Sequence, residues 1–391
     1  MDSLKFLISS APGLEELLYD EVKSMGYLLT KTPSGVFEIE CSWKDAAHIA
    51  VHSRLASRFM LFIKRFKANN ADVLYHKVLN IAWPKFFKVD DTFAIYSTGR
   101  SRPDMAFNYF TLKIKDAICD RFRKDSPERP SIDRQNPKIR IEAHVNGSEV
   151  SLAIDLIGYP LHRRGYREAA AEAAMKENRA AALLYFAGFG KEKYSEIVDP
   201  FCGSGTILGE AYLMDSNTAP GIVHLKPKEM LSEVPFYNDW KKALEEALEN
   251  AKKEMKFGDT QLFGFEDNRK EFAKLQENMS RFRSDKIKIQ NASADSLGEM
   301  KFKKPLIVAN PPHGHRLLSP KEAHETIKNF VSMLKHKVAP CKLALQLSDD
   351  DLPKSVGLRP EKKLYLRAGE YKMQFLLYDI VPGEWKSKKQ D

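Results

Sequence analysis

The stretch IVDPFCGSGT, residues 197–206, decides the fold class of this chain. Ile197 and Val198 form a short apolar run that ends at Asp199 and is followed by a loop with two glycines. A helical pattern begins directly after the loop, at Thr206. A strand, a glycine loop and a helix in this order are typical of the first unit of an open α/β sheet.

The loop is suited to binding a small polar ligand at the end of that strand. Gly203 and Gly205 allow the backbone to pass close to a ligand because they have no Cβ, and the helix N-terminus offers free N–H groups to an anion. Asp199 can accept hydrogen bonds from an ammonium group or a ribose hydroxyl. The next glycine is Gly209 and no lysine follows Gly205, so the loop matches neither the dinucleotide fingerprint nor the P-loop. A nicotinamide-dependent enzyme and an ATPase are therefore disfavoured.

Strands and helices alternate downstream of this loop. Further strands are predicted at residues 261–265, 287–289, 306–309 and 342–347, and a closing antiparallel pair at 364–366 and 375–378. Helical patterns separate most of these runs. We therefore predict an α/β Rossmann-like domain with a seven-stranded, mostly parallel sheet.

Asn310, Pro311 and Pro312 follow the strand predicted at 306–309. Neither proline can donate to a sheet ladder, so the strand ends abruptly and Asn310 lies at its carboxyl edge, where ligands bind in open α/β sheets. The Asn310 carboxamide and the Pro311 carbonyl offer two neighbouring acceptors to the exocyclic amine of a base, and the ring of His313 would lie against that base. The alternative is a Pro-Pro turn in which Asn310 makes an Asx turn.

Two acidic residues follow the second and third predicted strands. Glu266 is placed to bind both hydroxyls of a ribose; the alternative is a helix cap, which Asp267 or Asn268 would provide equally well. Asp295 would accept a hydrogen bond from an adenine amine, although by itself it would be an ordinary loop aspartate. Together with Asp199 and the proline motif, these residues predict one nucleoside-like ligand contacted from four strand ends.

The first 160 residues follow a different pattern. Residues 1–65 alternate strand, helix, strand, helix and strand, which is typical of a small ferredoxin-like α+β unit. Residues 66–160 form a second predicted unit, with a hairpin around Asn146-Gly147. A basic connector then leads into the α/β domain, which we assign to residues 161–391.

Basic residues are concentrated in the second unit and in the connector. From Gly99 to Lys124, seven basic residues are opposed by three acidic ones and interleaved with aromatics. Such a mixture is suited to RNA phosphates and unpaired bases; the alternative is a solvated helix face with the aromatics in the core, and for the aromatics we favour the core. The predicted RNA contacts are Arg100, Arg102, Lys113, Lys115, Arg121, Arg123, Arg163 and Arg164.

The composition also favours an anionic partner. The 391 residues carry a net charge of +9 and have a pI of about 9.1, which points first to nucleic acid. The four cysteines lie far apart and no Cys/His spacing fits a metal site, so we predict no metal and no structural disulfide. No apolar run approaches the length of a membrane span and the N-terminal residues do not resemble a secretory signal, so we predict a soluble, cytoplasmic protein.

The motifs DPFCGSGT and Asn-Pro-Pro-His resemble the signature of S-adenosylmethionine-dependent amino methyltransferases, whose usual form is Asn/Asp-Pro-Pro-aromatic. More narrowly, the chain resembles the THUMP-domain RNA guanine-N2 methyltransferases of the 23S ribosomal RNA branch. The supporting stretches are LKIKDAI (112–118), RPSID (129–133), LHRRGYR (161–167) and KENRAA (176–181). The resemblance implies N-terminal ferredoxin-like and THUMP RNA-binding domains followed by a Rossmann-like methyltransferase domain.

The resemblance also implies roles for individual residues. Glu266 would hold the ribose of S-adenosylmethionine and Asp295 its adenine, and Asn310 would contact both the cofactor and the target amine. The family usually has Tyr or Phe at the position of His313 and Glu at that of His315. The methionine end of the cofactor would be held by Asp199, Cys202, Gly203, Gly205 and Thr206, and the catalytic motif would be Asn310, Pro311, Pro312 and His313.

The implied reaction is an in-line methyl transfer. Hydrogen bonds accepted from the target amine would offset the positive charge that develops on its nitrogen, and no strong general base is required. Because the motif serves any exocyclic amine, alternatives are open: guanine-N2 methylation of transfer RNA, adenine-N6 methylation, or a catalytically weak RNA-binding protein of ribosome assembly. We predict guanine-N2 methylation of 23S ribosomal RNA.

Overall fold

The computed structural model describes residues 4–32, 36–100, 106–125, 127–167, 175–226, 235–282, 284–312, 319–347, 352–368 and 371–382. These residues fall into two compact units. The first contains the described residues of 1–10, 19–161 and 224–251, and the second those of 11–18, 162–223 and 252–391. Residues 224–251 thus pack with the first unit, although they lie in the range predicted for the α/β domain. The domain boundaries at residues 65 and 160 stay predictions.

The first unit is built on one mixed sheet. Its strands are β1 (Leu4–Ser10), β2 (Thr30–Lys31), β3 (Phe37–Cys41), β4 (Ala56–Lys67), β5 (Phe93–Arg100), β6 (Ile139–Asn146) and β7 (Glu149–Asp155). The strand order is β2-β3-β1-β4-β7-β6-β5, and β5 and β6 are the parallel pair. The helices in this part of the chain are α1 (Glu15–Ser24), α2 (Trp43–His52), α3 (Ala71–Leu79) and α4 (Phe107–Arg123), with a 3-10 helix at Trp83–Lys85.

Strand β4 joins the two predicted N-terminal units into a single sheet. It pairs antiparallel with β1 on one side and with β7 on the other. Its 12 residues extend past residue 65, where the first unit was predicted to end. A strand with partners on both sides leaves no open ladder, so the ferredoxin-like and second units share their backbone hydrogen bonds.

One hydrophobic core of this unit lies between strands β4–β7 and helices α3 and α4. Phe110, Ile114 and Phe122 recur at helical spacing along α4 and are buried in that core. The prediction that Phe110 and Phe122 are core residues is confirmed. Tyr109 differs, because 47% of it is exposed. Helix α8 (Pro235–Lys253) joins this unit through the fully buried Trp240, whose Nε1 donates to the Leu156 carbonyl over 3.1 Å.

The second unit is the predicted Rossmann-like α/β domain. Its strands are β8 (Glu196–Asp199), β9 (Gln261–Phe265), β10 (Ile287–Gln290), β11 (Leu306–Ala309), β12 (Cys341–Leu347), β13 (Lys362–Ala368) and β14 (Tyr371–Ile380). Its helices are α5 (Glu177–Phe186), α6 (Thr206–Asp215), α9 (Arg269–Ser280), α10 (Pro320–Met333) and α11 (Leu352–Val356), with a 3-10 helix at Ala294–Glu299 and a π-helical turn at Leu334–Val338. Helices α11 and α7 (Pro220–His224) were not predicted from the sequence.

The sheet of the second unit has the strand order β10-β9-β8-β11-β12-β14-β13. Its first five strands are parallel, and β14 runs antiparallel to both β12 and β13. All four residues of the central β11 are buried, because helices cover both faces of a parallel sheet. The predicted fold class and the seven-stranded sheet are confirmed. Strands β8, β9 and β10 follow one another toward one edge of the sheet, whereas β11 and β12 follow toward the other edge. The order of the strands therefore reverses between β8 and β11, which is the switch point where open α/β sheets bind ligands.

In the part of the chain that the structure describes, every helix is too short or too polar to cross a lipid bilayer.

Candidate functional site

Asp199, Glu266 and Asn310 come together at one edge of the α/β sheet. Asp199 is the last residue of β8, while Glu266 and Asn310 directly follow β9 and β11. Strand β8 pairs in parallel with both of the others, so the three carboxyl ends are neighbours. The topology therefore places these side chains on the switch point.

Backbone hydrogen bonds fix the loop after β8 against the end of β9. The Phe201 N–H donates to Asp199 Oδ1 over 3.1 Å, and the Cys202 N–H donates to the Phe265 carbonyl over 3.0 Å. The Gly203 N–H donates to Glu266 Oε2 over 2.8 Å. Asp199 and Glu266 therefore both hold the loop in place, each by accepting one of its backbone N–H groups.

The Asp199 carboxylate is buried in this loop, with 1% of the residue exposed. Burial raises its pKa to about 7, because the charged form loses water, and the nearby Glu266 charge acts in the same direction. The Phe201 N–H and the Cys202 thiol partly oppose this shift. A cationic group placed beside Asp199 would restore its charge at neutral pH.

Glu266 is half-buried, and burial is also the main cause of its raised pKa. Besides Gly203, its carboxylate accepts the Asn268 N–H over 3.0 Å. Asn268 itself is the N-cap of α9 and accepts the Lys270 N–H over 2.9 Å. The helix is therefore capped by Asn268, so the capping alternative for Glu266 is wrong. Each carboxylate oxygen retains a further lone pair for a ligand.

The two loop glycines are required for different reasons. Gly203 has φ +52°, and a Cβ there would meet no atom of the described residues within 4 Å. Gly205 has φ +86°, and a Cβ there would lie 2.7 Å from Leu275 Cδ1 and 2.8 Å from Met279 Cε. Space for a ligand therefore exists at Gly203, whereas Gly205 allows the loop to pack on α9. Gly205 is therefore required for packing against α9, and the predicted reason for it, close approach to a ligand, is wrong.

Cys202 and Thr206 are both buried. The Cys202 thiol donates to the Asp199 carbonyl over 3.3 Å and would lie 2.6 Å from a Cβ at Gly264. The Cys202 side chain thus packs on β9, in the interior of the loop. Thr206 begins α6, and its carbonyl accepts the Tyr166 hydroxyl over 3.4 Å.

A buried polar network supports the same loop from the side of the connector. Arg167 Nη1 donates to Ser204 Oγ over 3.3 Å, and Asn278 Nδ2 donates to the Ser204 carbonyl over 2.9 Å. Arg167 also pairs with Glu177 over 3.0 Å. Sequence reasoning missed these residues, although Arg167 and Glu177 lie in the stretches LHRRGYR and KENRAA.

Arg164 belongs to this buried network and not to the surface. None of its side chain is exposed, and its Nε lies 3.6 Å from Glu210 Oε1. Tyr166 donates to the same Glu210 oxygen over 3.1 Å. The prediction that Arg164 contacts RNA is wrong, because a phosphate cannot reach a guanidinium that the fold encloses. Its neighbour Arg163 is exposed.

Asp295 lies in the 3-10 helix that follows β10, with its side chain exposed. Nearer to β9, Asn291 Nδ2 donates to the Glu266 carbonyl over 2.8 Å. Sequence reasoning missed Asn291, which fixes the turn after Glu266.

Asn310 is half-buried, and its Oδ1 accepts a hydrogen bond from Gln346 Nε2 over 3.0 Å. The Asx-turn alternative is wrong, because the N–H that it requires would belong to Pro312, which has none. Pro311 is buried and Pro312 half-buried. His313 and His315 lie outside the described residues. Within the described ranges, no three His, Cys, Asp or Glu side chains are grouped so that they could hold a metal ion.

Three of the four predicted RNA contacts on α4 line a surface depression of about 460 Å³, the exception being Arg121. Its cationic lining is Lys113, Lys115, Arg123 and Arg129, with Asp116 and Asp120 between them. Arg129 was missed because it follows α4 in a loop. Arg121 pairs with Asp125 over 2.6 Å. For Arg100 only the backbone at the end of β5 is described, and Arg102 lies outside the described residues.

Curated proteins resemble the chain over almost all of its length. The "Ribosomal RNA large subunit methyltransferase K/L" of Aliivibrio salmonicida is 32% identical over 368 residues, which is 93% of this chain and 52% of that protein. The protein of the same name from Pseudomonas savastanoi pv. phaseolicola is 30% identical over 391 residues, 98% of this chain and 52% of that protein. The chain thus spans about half the length of the curated relatives it matches.

Two solved structures resemble the whole chain and bear on its fold. A possible methylase from Clostridium difficile 630 has a TM-score of 0.81 at 24% identity and covers 99% of this chain and 100% of its own. SMU.472, whose crystal structure is a complex with SAH, has a TM-score of 0.80 at 21% identity with the same coverage.

Three family models match consecutive parts of the chain. The RlmL ferredoxin-like domain matches residues 5–60 and the THUMP domain residues 68–155. The RMKL-like methyltransferase domain matches residues 164–375, more than half of the chain. These matches confirm the resemblance to THUMP-domain methyltransferases. With its strand-end residues gathered at the switch point, the chain therefore belongs to the RMKL-like methyltransferase domain family, UPF0020.

Proposed function

We propose that the chain is an S-adenosylmethionine-dependent methyltransferase acting on the exocyclic N2 amine of a guanine in 23S ribosomal RNA. The observation that carries this proposal is the convergence of Asp199, Glu266 and Asn310 on neighbouring strand ends. A cytoplasmic location, where ribosomal RNA is modified, is part of the proposal.

The residues present fit S-adenosylmethionine, which supplies an electrophilic methyl group when bound. Among the described residues, nothing lies within 4 Å of the position that a Cβ at Gly203 would take, which leaves room for a ligand there. The buried Asp199 suits the ammonium of a methionine moiety, and Glu266 has lone pairs for ribose hydroxyls. The SAH complex of the related fold supports this choice of ligand. The roles of Thr206 at the methionine end and of Asp295 at the adenine belong to the same proposal.

Asn310 would hold the target amine. The amine of guanine is a weak nucleophile because its lone pair is delocalised into the ring. By accepting its N–H groups, the Asn310 carboxamide and the Pro311 carbonyl would offset the positive charge that develops on the nitrogen. The abrupt strand end at Pro311 and Pro312 keeps both acceptors at the sheet edge.

RNA recognition by the first unit is supported by its THUMP match and by the cationic lining of the α4 depression. The curated relatives' names specify large-subunit ribosomal RNA, and this favours it over transfer RNA. Lys113, Lys115, Arg121, Arg123 and Arg163 are the proposed phosphate contacts among residues whose side chains are described.

The test is methylation of undermodified RNA. The purified chain would be incubated with labelled S-adenosylmethionine and either 23S ribosomal RNA or transfer RNA, and the nucleosides analysed by mass spectrometry. We expect N2-methylguanosine from the ribosomal RNA. Methyladenosine as the only product would instead favour adenine-N6 transfer. Label in transfer RNA alone would favour guanine-N2 methylation of transfer RNA. Tight RNA binding without methylation would favour a role in ribosome assembly.

A further inference from the structure

Gln346 stands beside Asn310 in the sheet. Strands β11 and β12 are parallel, with Ala309 in register with Leu345, so the next residues along, Asn310 and Gln346, are also side by side. Gln346 is 4% exposed, and the residues before it in β12 are mainly apolar. A primary amide is thus buried in a strand whose other positions, except Lys342, are apolar and buried.

One end of the Gln346 amide is used and the other is not. Its Nε2 donates to Asn310 Oδ1 over 3.0 Å. Its Oε1 is buried and has no hydrogen-bond partner among the residues that the structure describes. An unsatisfied buried acceptor destabilises a fold, so an apolar side chain would serve packing better. The hydrogen bond to Asn310 is therefore the gain that distinguishes glutamine at this position.

That hydrogen bond selects one orientation of the Asn310 carboxamide. A carboxamide can turn over and exchange its oxygen for its NH₂ group, which would then face the N–H groups of a target amine. Donation from Gln346 stabilises the orientation with Oδ1 toward β12 and occupies one of its two lone pairs. The second lone pair remains for the amine.

We propose that Gln346 is a positioning residue for methyl transfer, which keeps Asn310 Oδ1 in place as an acceptor for the target amine. The inference rests on the proposed function, in which Asn310 binds that amine. Because Oε1 of Gln346 is buried, the residue acts through Asn310 and not by touching RNA.

The test compares Gln346→Met and Gln346→Glu in the full chain, with steady-state methylation of 23S ribosomal RNA as the readout. Methionine has a similar volume and no donor, so we expect kcat to fall on the order of 10- to 100-fold, with unchanged KM for RNA and unchanged calorimetric affinity for S-adenosylmethionine. Gln261→Met, at the first residue of β9 and the opposite edge of the sheet, is the matched control and should retain kcat.

Gln346→Glu adds a pH readout that a packing role would not produce. An ionised glutamate accepts a hydrogen bond and would turn the Asn310 amide over, whereas a protonated one donates as glutamine does. We expect its activity, relative to the wild type, to be lowest at pH 8.5 and to rise as the pH falls to 6.

Two results would overturn the inference while leaving the proposed function intact. One is a wild-type kcat for Gln346→Met; the other is a loss of activity in both variants that follows their thermal midpoints without pH dependence. If the wild-type chain methylates no RNA, the proposed function fails, and the inference fails with it.

Discussion

Burial determines the chemistry of the Asp199 carboxylate. At the end of β8 it is enclosed by the loop that it helps to shape, and its pKa rises to about 7. The Asp199 carboxylate is therefore only partly ionised near neutral pH, whereas an exposed aspartate is fully ionised. The sequence predicted an acceptor here, but the loss of water that changes its charge is a property of the folded loop.

The first prediction concerns the pH dependence of cofactor binding. The ammonium of S-adenosylmethionine favours ionised Asp199, so binding must expel a proton below pH 7. We expect the affinity to fall up to about tenfold for each pH unit below 7, and to level off toward pH 8. Calorimetry of the wild type at pH 6 and 8 measures this.

Asp199→Asn is the control for that titration, because its carboxamide cannot ionise. Its binding should be weak at both pH values and show no slope. Equal wild-type affinities at pH 6 and 8 would contradict the role assigned to Asp199.

A second prediction separates the two glycines of the loop. Gly205→Ala should destabilise the protein by about 2–4 kcal/mol, because its Cβ meets Leu275 and Met279 in a left-handed backbone conformation. Gly203→Ala should lower the free energy of unfolding by only about 1–2 kcal/mol, because the left-handed backbone conformation is its only source of strain. Urea unfolding measures both.

Ligand binding should show the reverse order. The methyl group of Gly203→Ala enters the open side of the loop, so this variant should lose the larger share of its affinity for S-adenosylmethionine. If Gly205→Ala folds stably and Gly203→Ala binds normally, the open side of the loop is not the cofactor site.

The connector at residues 161–167 contains two adjacent arginines that differ in burial. Arg163 is exposed, whereas Arg164 is enclosed next to Glu210 of α6. Both belong to the same basic run, so composition alone could not separate them. The third dimension does so, because only one of the two side chains points toward α6.

We predict that Arg164→Ala destabilises the protein by about 3–5 kcal/mol, since it removes the buried cation that lies 3.6 Å from the Glu210 carboxylate. Arg163→Ala should change stability by less than about 0.5 kcal/mol and instead weaken RNA binding severalfold. Urea unfolding and filter binding measure the two effects. An equal loss of stability in both variants would contradict the assignment.

At the scale of the whole molecule, the excess positive charge of +9 is not spread evenly over the surface. Several basic residues are ion-paired in the fold. Lys5, for example, lies 3.6 Å from Glu38 and 3.2 Å from Glu40. The four cations around the α4 depression outnumber its two aspartates, Asp116 and Asp120, and this local excess is not revealed by a chain-wide count.

The last prediction uses salt to count phosphate contacts. Lys113→Ala and Arg123→Ala should each lower RNA affinity severalfold and reduce the slope of log K against log salt by about 0.7–0.9. Lys5→Ala removes the same charge from β1, outside the lining of the α4 depression, and is the control. If all three variants change the slope equally, RNA recognises net charge and not the α4 face.

The sequence was sufficient for the α/β class, the strand ends and the residue types placed on them. Hydrophobic periodicity and proline or glycine positions are local properties, so β9 and β11 were predicted with their observed bounds. The same local signals revealed the Asn146-Gly147 hairpin between β6 and β7. They could not predict short elements such as α7 and α11, which have too few residues to show a period.

Only the tertiary structure decided which polar residues act together. Long-range pairing joined the two N-terminal units through β4, enclosed Arg164 with Glu210, and brought Gln346 to Asn310. Burial and contact between residues far apart in the chain leave no periodic trace in either segment. At the end of β11, the sequence alone therefore determined that an amide would stand at the sheet edge, and the fold determined which side chain holds it there.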